Sequence, residues 1–328
     1  MNEKKYDVTA LGELLIDFTE NGTSPQGNPM FEANPGGAPC NVLAMLQKLG
    51  KKTAFIGKVG DDMFGKMLKQ KVAQTGIDIS GLLEDTYVHT TLAFVQTLQG
   101  GDRDFSFYRN PGADMMLKAE EVSEELIKES KIFHFGSLSM TDEYVEAATK
   151  KAIAFAKENN CLLSFDPNLR PPLWSSLEKA KEKISYGMSV CDILKISDNE
   201  IEFMTGTTDI DTGIGIIREK YKIPIIFATL GKEGSKAYYK DRMVYVPGFA
   251  NPDTIETTGA GDTFCANALN YLLEHGTENL QEEDFVNLLT YANAAASIIT
   301  TRKGALCVMP QKDEIESFLK KKIVKKNV

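Results

Sequence analysis

Short apolar runs rich in strand formers alternate along this chain with longer stretches whose apolar positions recur every three or four residues. That rhythm predicts strands followed by helices, hence a mostly parallel sheet covered by helices on both faces. Tyr6–Leu11 (YDVTAL) and residues 53–59, 132–135, 161–165, 193–196 and 224–229 read as buried strands. Helices are predicted over Met63–Gln74 and over residues 41–49, 142–158, 177–188, 214–221, 261–273 and 285–300. In the helix over 41–49, Val42, Leu43, Leu46 and Leu49 share one face and Gly50 closes it. Residues 236–246 alternate like a hairpin.

Two regions break the rhythm. Residues 21–35 are rich in Gly, Pro and Asn and read as loop carrying at most one exposed strand. Residues 88–99 and 104–109 read as two strands joined by a hairpin turn at Gly100-Gly101. Strands near 14–34 and 87–110 are therefore read as a small β-sheet lid inserted into the larger domain, with residues 1–328 forming one functional unit.

Composition narrows the class. Apolar residues make up 42% of the 328 positions, enough for a large core. The net charge of −9 argues against non-specific nucleic-acid binding, which needs a basic surface. The five cysteines are widely spaced with no CxxC pair, so neither a zinc site nor a disulfide framework is expected. No apolar run approaches the ~18 residues of a membrane span, and Met1 to Lys5 has no apolar signal core. The expectation is a cytoplasmic protein with no membrane or nucleic-acid partner. The basic residues within 320–326 read as a solvated tail.

The candidate chemistry lies in Glu256-Thr257-Thr258-Gly259-Ala260-Gly261-Asp262-Thr263-Phe264. Small residues leading into an amphipathic helix expose backbone N–H groups, a ready anion site. Asp262, at the start of that helix, could take a proton from an attacking hydroxyl or could simply cap the helix. The neighbouring glycines favour chemistry. Gly60 to Met67 nearly has the spacing of a phosphate-binding loop, but Met67 cannot ligate magnesium and Asp61 and Asp62 would face the phosphates, so it is rejected. Gly259 and Gly261 lack the third glycine of a dinucleotide fingerprint. A second glycine patch, Gly36-Gly37, precedes Asn41, which could bind a sugar hydroxyl or act as an N-cap. Asp17 could accept two sugar hydroxyls. His89, His134 and His275 are scattered and read as structural.

Taken together, these segments resemble the PfkB (ribokinase-like) carbohydrate kinases from about Gly12 to Pro310. Two signatures appear in order, the glycine-rich stretch from Gly36 to Gly65 that includes IGKVGDDMFG, and TTGAGDTF. FYRNPGADMML (107–117), FDPNLRPPLW (165–174), LKISDNEIEFMTG (194–206), TLGKEGS (229–235) and TTRKGA (300–305) are similar to fructokinases in particular. The resemblance implies a Rossmann-like α/β fold with a β-lid and magnesium-dependent transfer from ATP. It implies Asp262 as general base and the N–H groups of Gly259, Ala260 and Gly261 as an anion hole. Asp17, Gly36, Gly37 and Asn41 would hold the sugar, with Arg109 reaching in from the lid and Asn168 and Arg170 lining the sugar or phosphate path. Lys195, Thr229, Gly231, Gly234 and Asn293 would border the nucleotide, and Glu200 would organise Mg2+ through water. Ser197 stands where many relatives carry Asn before that glutamate. Glu256 replaces the usual Asp of a monovalent-cation site, which weighs against K+ activation.

The leading expectation is phosphorylation of fructose to fructose 6-phosphate. A 2-keto-3-deoxygluconate kinase and a ribokinase remain open, because Arg109 and Arg170 would suit a sugar acid's carboxylate. A catalytically silent kinase-like regulatory protein is the alternative of another class. Such a protein should have lost its base or anion hole, and both are present here. Open edges on the lid strands suggest a homodimer joined lid to lid.

Overall fold

The structure is a computed structural model that describes residues 4–97 and 103–326. The buried strand β1 (Tyr6–Leu11) leads into β2 (Leu15–Thr23) and β3 (Pro29–Gly36). Helix α1 (Ala38–Lys48), strand β4 (Thr53–Gly60), helix α2 (Met63–Gln74) and strand β5 (Asp78–Asp85) follow. Strands β6 (Leu92–Thr97) and β7 (Arg103–Tyr108) precede the short helix α3 (Glu124–Lys128). The strand–helix rhythm then resumes with β8 (Ser130–Gly136), α4 (Glu143–Glu158), β9 (Leu162–Asp166) and α5 (Leu177–Val190). It continues through β10 (Ile193–Ser197), α6 (Asp198–Thr205), α7 (Ile210–Tyr221) and β11 (Ile225–Thr229). Strands β12 (Gly234–Tyr239) and β13 (Arg242–Pro247) precede α8 (Ala260–His275), α9 (Glu282–Ile299) and α10 (Lys312–Lys326).

Among the described residues, nine strands form one sheet in the order β13-β12-β11-β10-β9-β8-β1-β4-β5. Strands β11 through β5 run parallel, and β12 and β13 run antiparallel at one edge. The period of two along each strand divides the core. Ile193, Ile225 and Phe227 pack with apolar residues of α1, α8 and α9. Leu194 and Ile226 point the other way, into a cluster with α4, α5 and α7. The chain moves from β1 to β4 and β5 on one side, then returns to build β8 to β11 on the other. Ligands bind beyond the carboxyl ends of strands at such a reversal.

A second sheet has the order β3-β2-β6-β7. Phe18 stacks on Phe94 at 4.8 Å between centroids, and Phe31 and Tyr108 flank Phe94 on the same face. The alternate positions Asp17, Thr19 and Asn34 face a cavity between the two sheets.

Several sequence expectations need correction. Most of 21–35 is strand: β2 continues to Thr23 and β3 begins at Pro29, with only the turn between them irregular. Polar side chains suit these strands because the small sheet is partly exposed, and Pro29 and Pro35 are tolerated because β3 is an edge. Strand β5 was not expected, since its acidic ends and edge position leave it few apolar positions. Helix α6 was also missed, although Ser197 and Glu200 form a capping box at its start. Helix α1 begins at Ala38, so Asn41 lies inside the helix and is not its N-cap. The expected turn at Gly100-Gly101 lies outside the described residues. Asp62 caps α2, accepting from Phe64 N–H at 3.0 Å and Gly65 N–H at 2.8 Å, which gives the near-match at Gly60 to Met67 a structural role.

Candidate active site

The carboxyl ends of β1, β9, β10 and β11, one face of the small sheet and the N-terminus of α8 enclose a cavity of about 930 Å³. Every residue singled out from the sequence as a site residue lines it except Gly36. Gly36 acts one step back, because a Cβ there would lie 2.2 Å from Asp17 Oδ2. Gly37, at φ +130°, brings the chain against the backbone carbonyl of Glu13, leaving 2.3 Å for a Cβ.

Asp262 is buried in the first turn of α8, whose N-cap is Gly259 with φ +75° and no side-chain cap. The carboxylate is therefore not a cap. Its Oδ2 accepts from Asn41 Nδ2 at 2.8 Å, while the buried Oδ1 of Asn41 has no partner among the described residues. Burial, reinforced by the Asp166 carboxylate, pushes Asp262 up to about 6; the Asn41 bond, Lys195 and Arg170 act against the rise.

Beneath α8 lies a buried ion pair. Lys195 Nζ, on β10, is 3.1 Å from Asp166 Oδ2 at the end of β9. A Cβ on Gly261 would sit 3.1 Å from the same Nζ, so the ammonium lies directly under the first turn of α8. Burial alone would lower Lys195, but the carboxylates of Asp166, Glu200 and Asp262 outweigh it and hold it above the ordinary lysine value.

The wall made by the small sheet is rich in carboxylates. Burial pushes Asp17 up to about 7, with Arg170 opposing and Glu256 and Asp262 adding to the rise. Glu13 is likewise pushed up to about 7 by burial, although its Oε1 accepts from Ala38 N–H at 2.9 Å. Arg170 is exposed, whereas Arg109 is buried and held by Asp114. Asn168 adopts φ +43° and its N–H donates to Asp166 Oδ1 at 3.2 Å.

The opposite wall is built mainly from backbone. Thr229 ends β11, Gly231 adopts φ +54° in the link to β12, and Gly234, the first residue of β12, adopts φ +109°. Asn293 uses its side chain as a clamp: Oδ1 accepts from Ser235 Oγ at 2.8 Å and Nδ2 donates to Val246 O at 3.1 Å. Both Glu200 oxygens accept backbone N–H groups, from Leu169 and Ser197, each at 2.8 Å. Glu256 Oε1 accepts from Gly304 N–H at 2.9 Å. Among the described residues no three His, Cys, Asp or Glu side chains gather as a metal site.

Sequence reasoning did not single out Asp166, Glu13 or Asp114. Each is a buried carboxylate, at the end of β9, after β1 and after β7 respectively. For Asp166, the last residue of β9, and Glu13, two residues past β1, the strand end was the available signal; Asp114, six residues past β7, had none.

Residues 5–312 match the model of the pfkB family carbohydrate kinases, and the chain belongs to that family. Among its relatives, Fructokinase-1 of Zea mays is 40% identical, over 96% of this chain and 98% of that protein. Fructokinase-2 of Solanum lycopersicum is 41% identical, over 95% of this chain and 96% of that protein. The solved fructokinase of Xylella fastidiosa with bound ATP superposes with a TM-score of 0.87 at 29% identity, over 96% of this chain and 98% of that one. A double mutant of the Vibrio cholerae O395 fructokinase, with fructose, ADP and potassium ion bound, gives 0.86 at 28% identity, over 97% of this chain and 100% of that one. The mostly parallel sheet with its second small sheet is thus the ribokinase-like arrangement.

Proposed function

We propose that this protein transfers the γ-phosphoryl group of ATP to the terminal hydroxyl of fructose, giving fructose 6-phosphate and ADP. The observation that carries the proposal is the buried Asp262 in the first turn of α8, a helix whose N-terminus no side chain caps, inside a cavity lined with polar groups. Asp262 accepts the proton of the attacking hydroxyl. The N–H groups of Gly259, Ala260 and Gly261 meet the negative charge that builds on the transferring phosphoryl group. Asp17, Gly37 and Asn41 hold the sugar, Gly36 leaves room for Asp17, and Asn168 and Arg170 line the path between the substrates. The Oδ1 of Asn41 is a buried acceptor with no hydrogen-bond partner among the described residues.

The nucleotide lies along Thr229, Gly231 and Gly234, with Asn293 fixing the strands behind them. Lys195, locked to Asp166, supports the phosphate end from below the helix. The donor set suits a magnesium ion brought in on the phosphates, since both oxygens of Glu200 already accept backbone N–H groups. When bound, magnesium neutralises phosphate charge; Glu200 would reach it through water. A monovalent cation, if used, would meet Glu256, whose longer side chain weighs against K+ activation.

The small sheet serves as a lid over the sugar. Its outer face exposes Phe31 and Tyr108 beside Phe94, which supports a homodimer through this face. Sedimentation at micromolar concentration is expected to give a dimer, and Phe31→Glu with Tyr108→Glu a monomer; a monomeric parent protein would refute the interface. The unpaired cysteines, four of them buried, suit a reducing cytoplasm. Among the described residues, no helix is long and apolar enough to cross a membrane. The test of the proposal is sugar-dependent ADP release from magnesium-ATP.

A further inference from the structure

Arg109 is one of the cations that would draw a sugar acid into this site, yet its charge is already spent. The side chain is 2% exposed and its Nη2 lies 2.7 Å from Asp114 Oδ2, on a carboxylate that is 1% exposed. Arg109 Nε donates to the same oxygen at 2.8 Å. Nη1 donates to Thr141 Oγ1 at 2.9 Å and Nη2 to Leu138 O at 3.0 Å. All three guanidinium nitrogens therefore have protein partners. Asp114 is itself fixed, because its Oδ1 accepts from Thr91 Oγ1 at 2.5 Å. Gly112 makes the geometry possible: a Cβ there would lie 1.8 Å from Thr91 Oγ1 and 2.8 Å from Asp114 Oδ1.

We propose that Asp114 restricts the site to neutral sugars by neutralising Arg109 before substrate arrives. The inference rests on reading the cavity as a sugar-kinase site and names the class of sugar it takes. A substrate carboxylate at Arg109 would have to displace a buried carboxylate that is already hydrogen-bonded, stranding that charge without a partner. It would also lie near the carboxyl group of Glu13, which interacts with Arg109. Arg170 offers little compensation, since it is exposed and its field acts on Asp17 and Asp262. A neutral polyol meets no such penalty, because carboxylates accept its hydroxyls. Asp114 does not touch substrate; it is a positioning residue that acts by holding the Arg109 guanidinium.

The experiment compares kcat/KM for fructose and for 2-keto-3-deoxygluconate in the parent protein and in Asp114→Asn. The parent is expected to favour the neutral sugar by at least about 100-fold, and Asp114→Asn to reduce that ratio at least about tenfold through a lower KM for the acid. Asp114→Glu, which keeps the charge, is expected to retain the preference. A parent enzyme that takes the acid as well as fructose overturns the proposal. So does a folded Asp114→Asn protein, with a melting temperature near the parent's, whose ratio is unchanged. Should Asp114→Asn fail to fold, the double variant Arg109→Gln with Asp114→Asn is expected to keep the parent's preference, and its loss overturns the proposal. If another neutral sugar is the better substrate, the fructose assignment fails while this inference stands on the ratio to that sugar. If no sugar drives ADP release, the kinase reading beneath it fails, and the inference with it.

Discussion

Asp262→Asn is expected to lower kcat by about 10²–10⁴-fold while leaving KM for fructose within a few-fold. The amide matches the carboxylate in shape, so the fold and the bond from Asn41 can survive, but it cannot accept the hydroxyl's proton. A caps-only role predicts the reverse pattern, with lost stability and retained turnover, and the geometry already argues against it because Gly259 is the N-cap and no side chain caps α8. The pH profile sharpens the test. Asp262 acts as a base only when deprotonated, and burial with the nearby Asp166 charge pushes it up to about 6. Activity should therefore rise with pH through about 6 and level off above it. That acid limb should be missing from the residual activity of Asp262→Asn. Turnover close to the parent's in the variant would remove Asp262 from the chemistry.

Asp166→Ala is expected to have the largest effect on stability. Its side chain is 3% exposed and that of its partner Lys195 is 9% exposed, so the substitution strands an ammonium in the core below α8. Breaking such a pair from one side costs about 3–5 kcal/mol, whereas replacing both members with apolar groups is far milder. Asp166→Leu with Lys195→Met should therefore recover much of the melting temperature lost in Asp166→Ala. The single variant also loses the acceptor for Asn168 N–H and a charge that raises Asp262. If enough of it folds to assay, its acid limb should move to lower pH. A melting temperature within a degree or two of the parent's would show that the pair does not hold this region together.

Much of the fold was legible because the large sheet is buried on both faces. Its strands read as short apolar runs, and its helices carry apolar faces against them, so Met63–Gln74 and Tyr6–Leu11 agree with the structure to the residue. Strand β5 was illegible for the converse reason: at the sheet's edge, with intermediate or exposed ends, it needs few apolar residues. The small sheet was legible as strands but not in extent, since one face points into a polar cavity and Asp17, Thr19 and Asn34 break the apolar pattern there.

The chemistry divides in the same way. Backbone-based features announce themselves through glycine, and Gly37, Gly259 and Gly261 were each found by that signal before the structure gave its reason. Side-chain partnerships across the sheet carry no local signal. Asp166 and Lys195 are 29 residues apart, and Asn41 and Asp262 are 221 apart, joined only when β9, β10, α1 and α8 assemble. Arg109 lines the cavity, and its pairing with Asp114, five residues on, is a further partnership that residue type alone did not announce.

The central claim is tested most directly by coupled ADP release with magnesium-ATP and, in turn, fructose, ribose, glucose and 2-keto-3-deoxygluconate, with the position of the new phosphate identified. The account predicts rapid turnover on fructose, a product phosphorylated at the terminal hydroxyl, and little or none on the acid. Sugar-independent ADP release, or no release with any of the four, would contradict it.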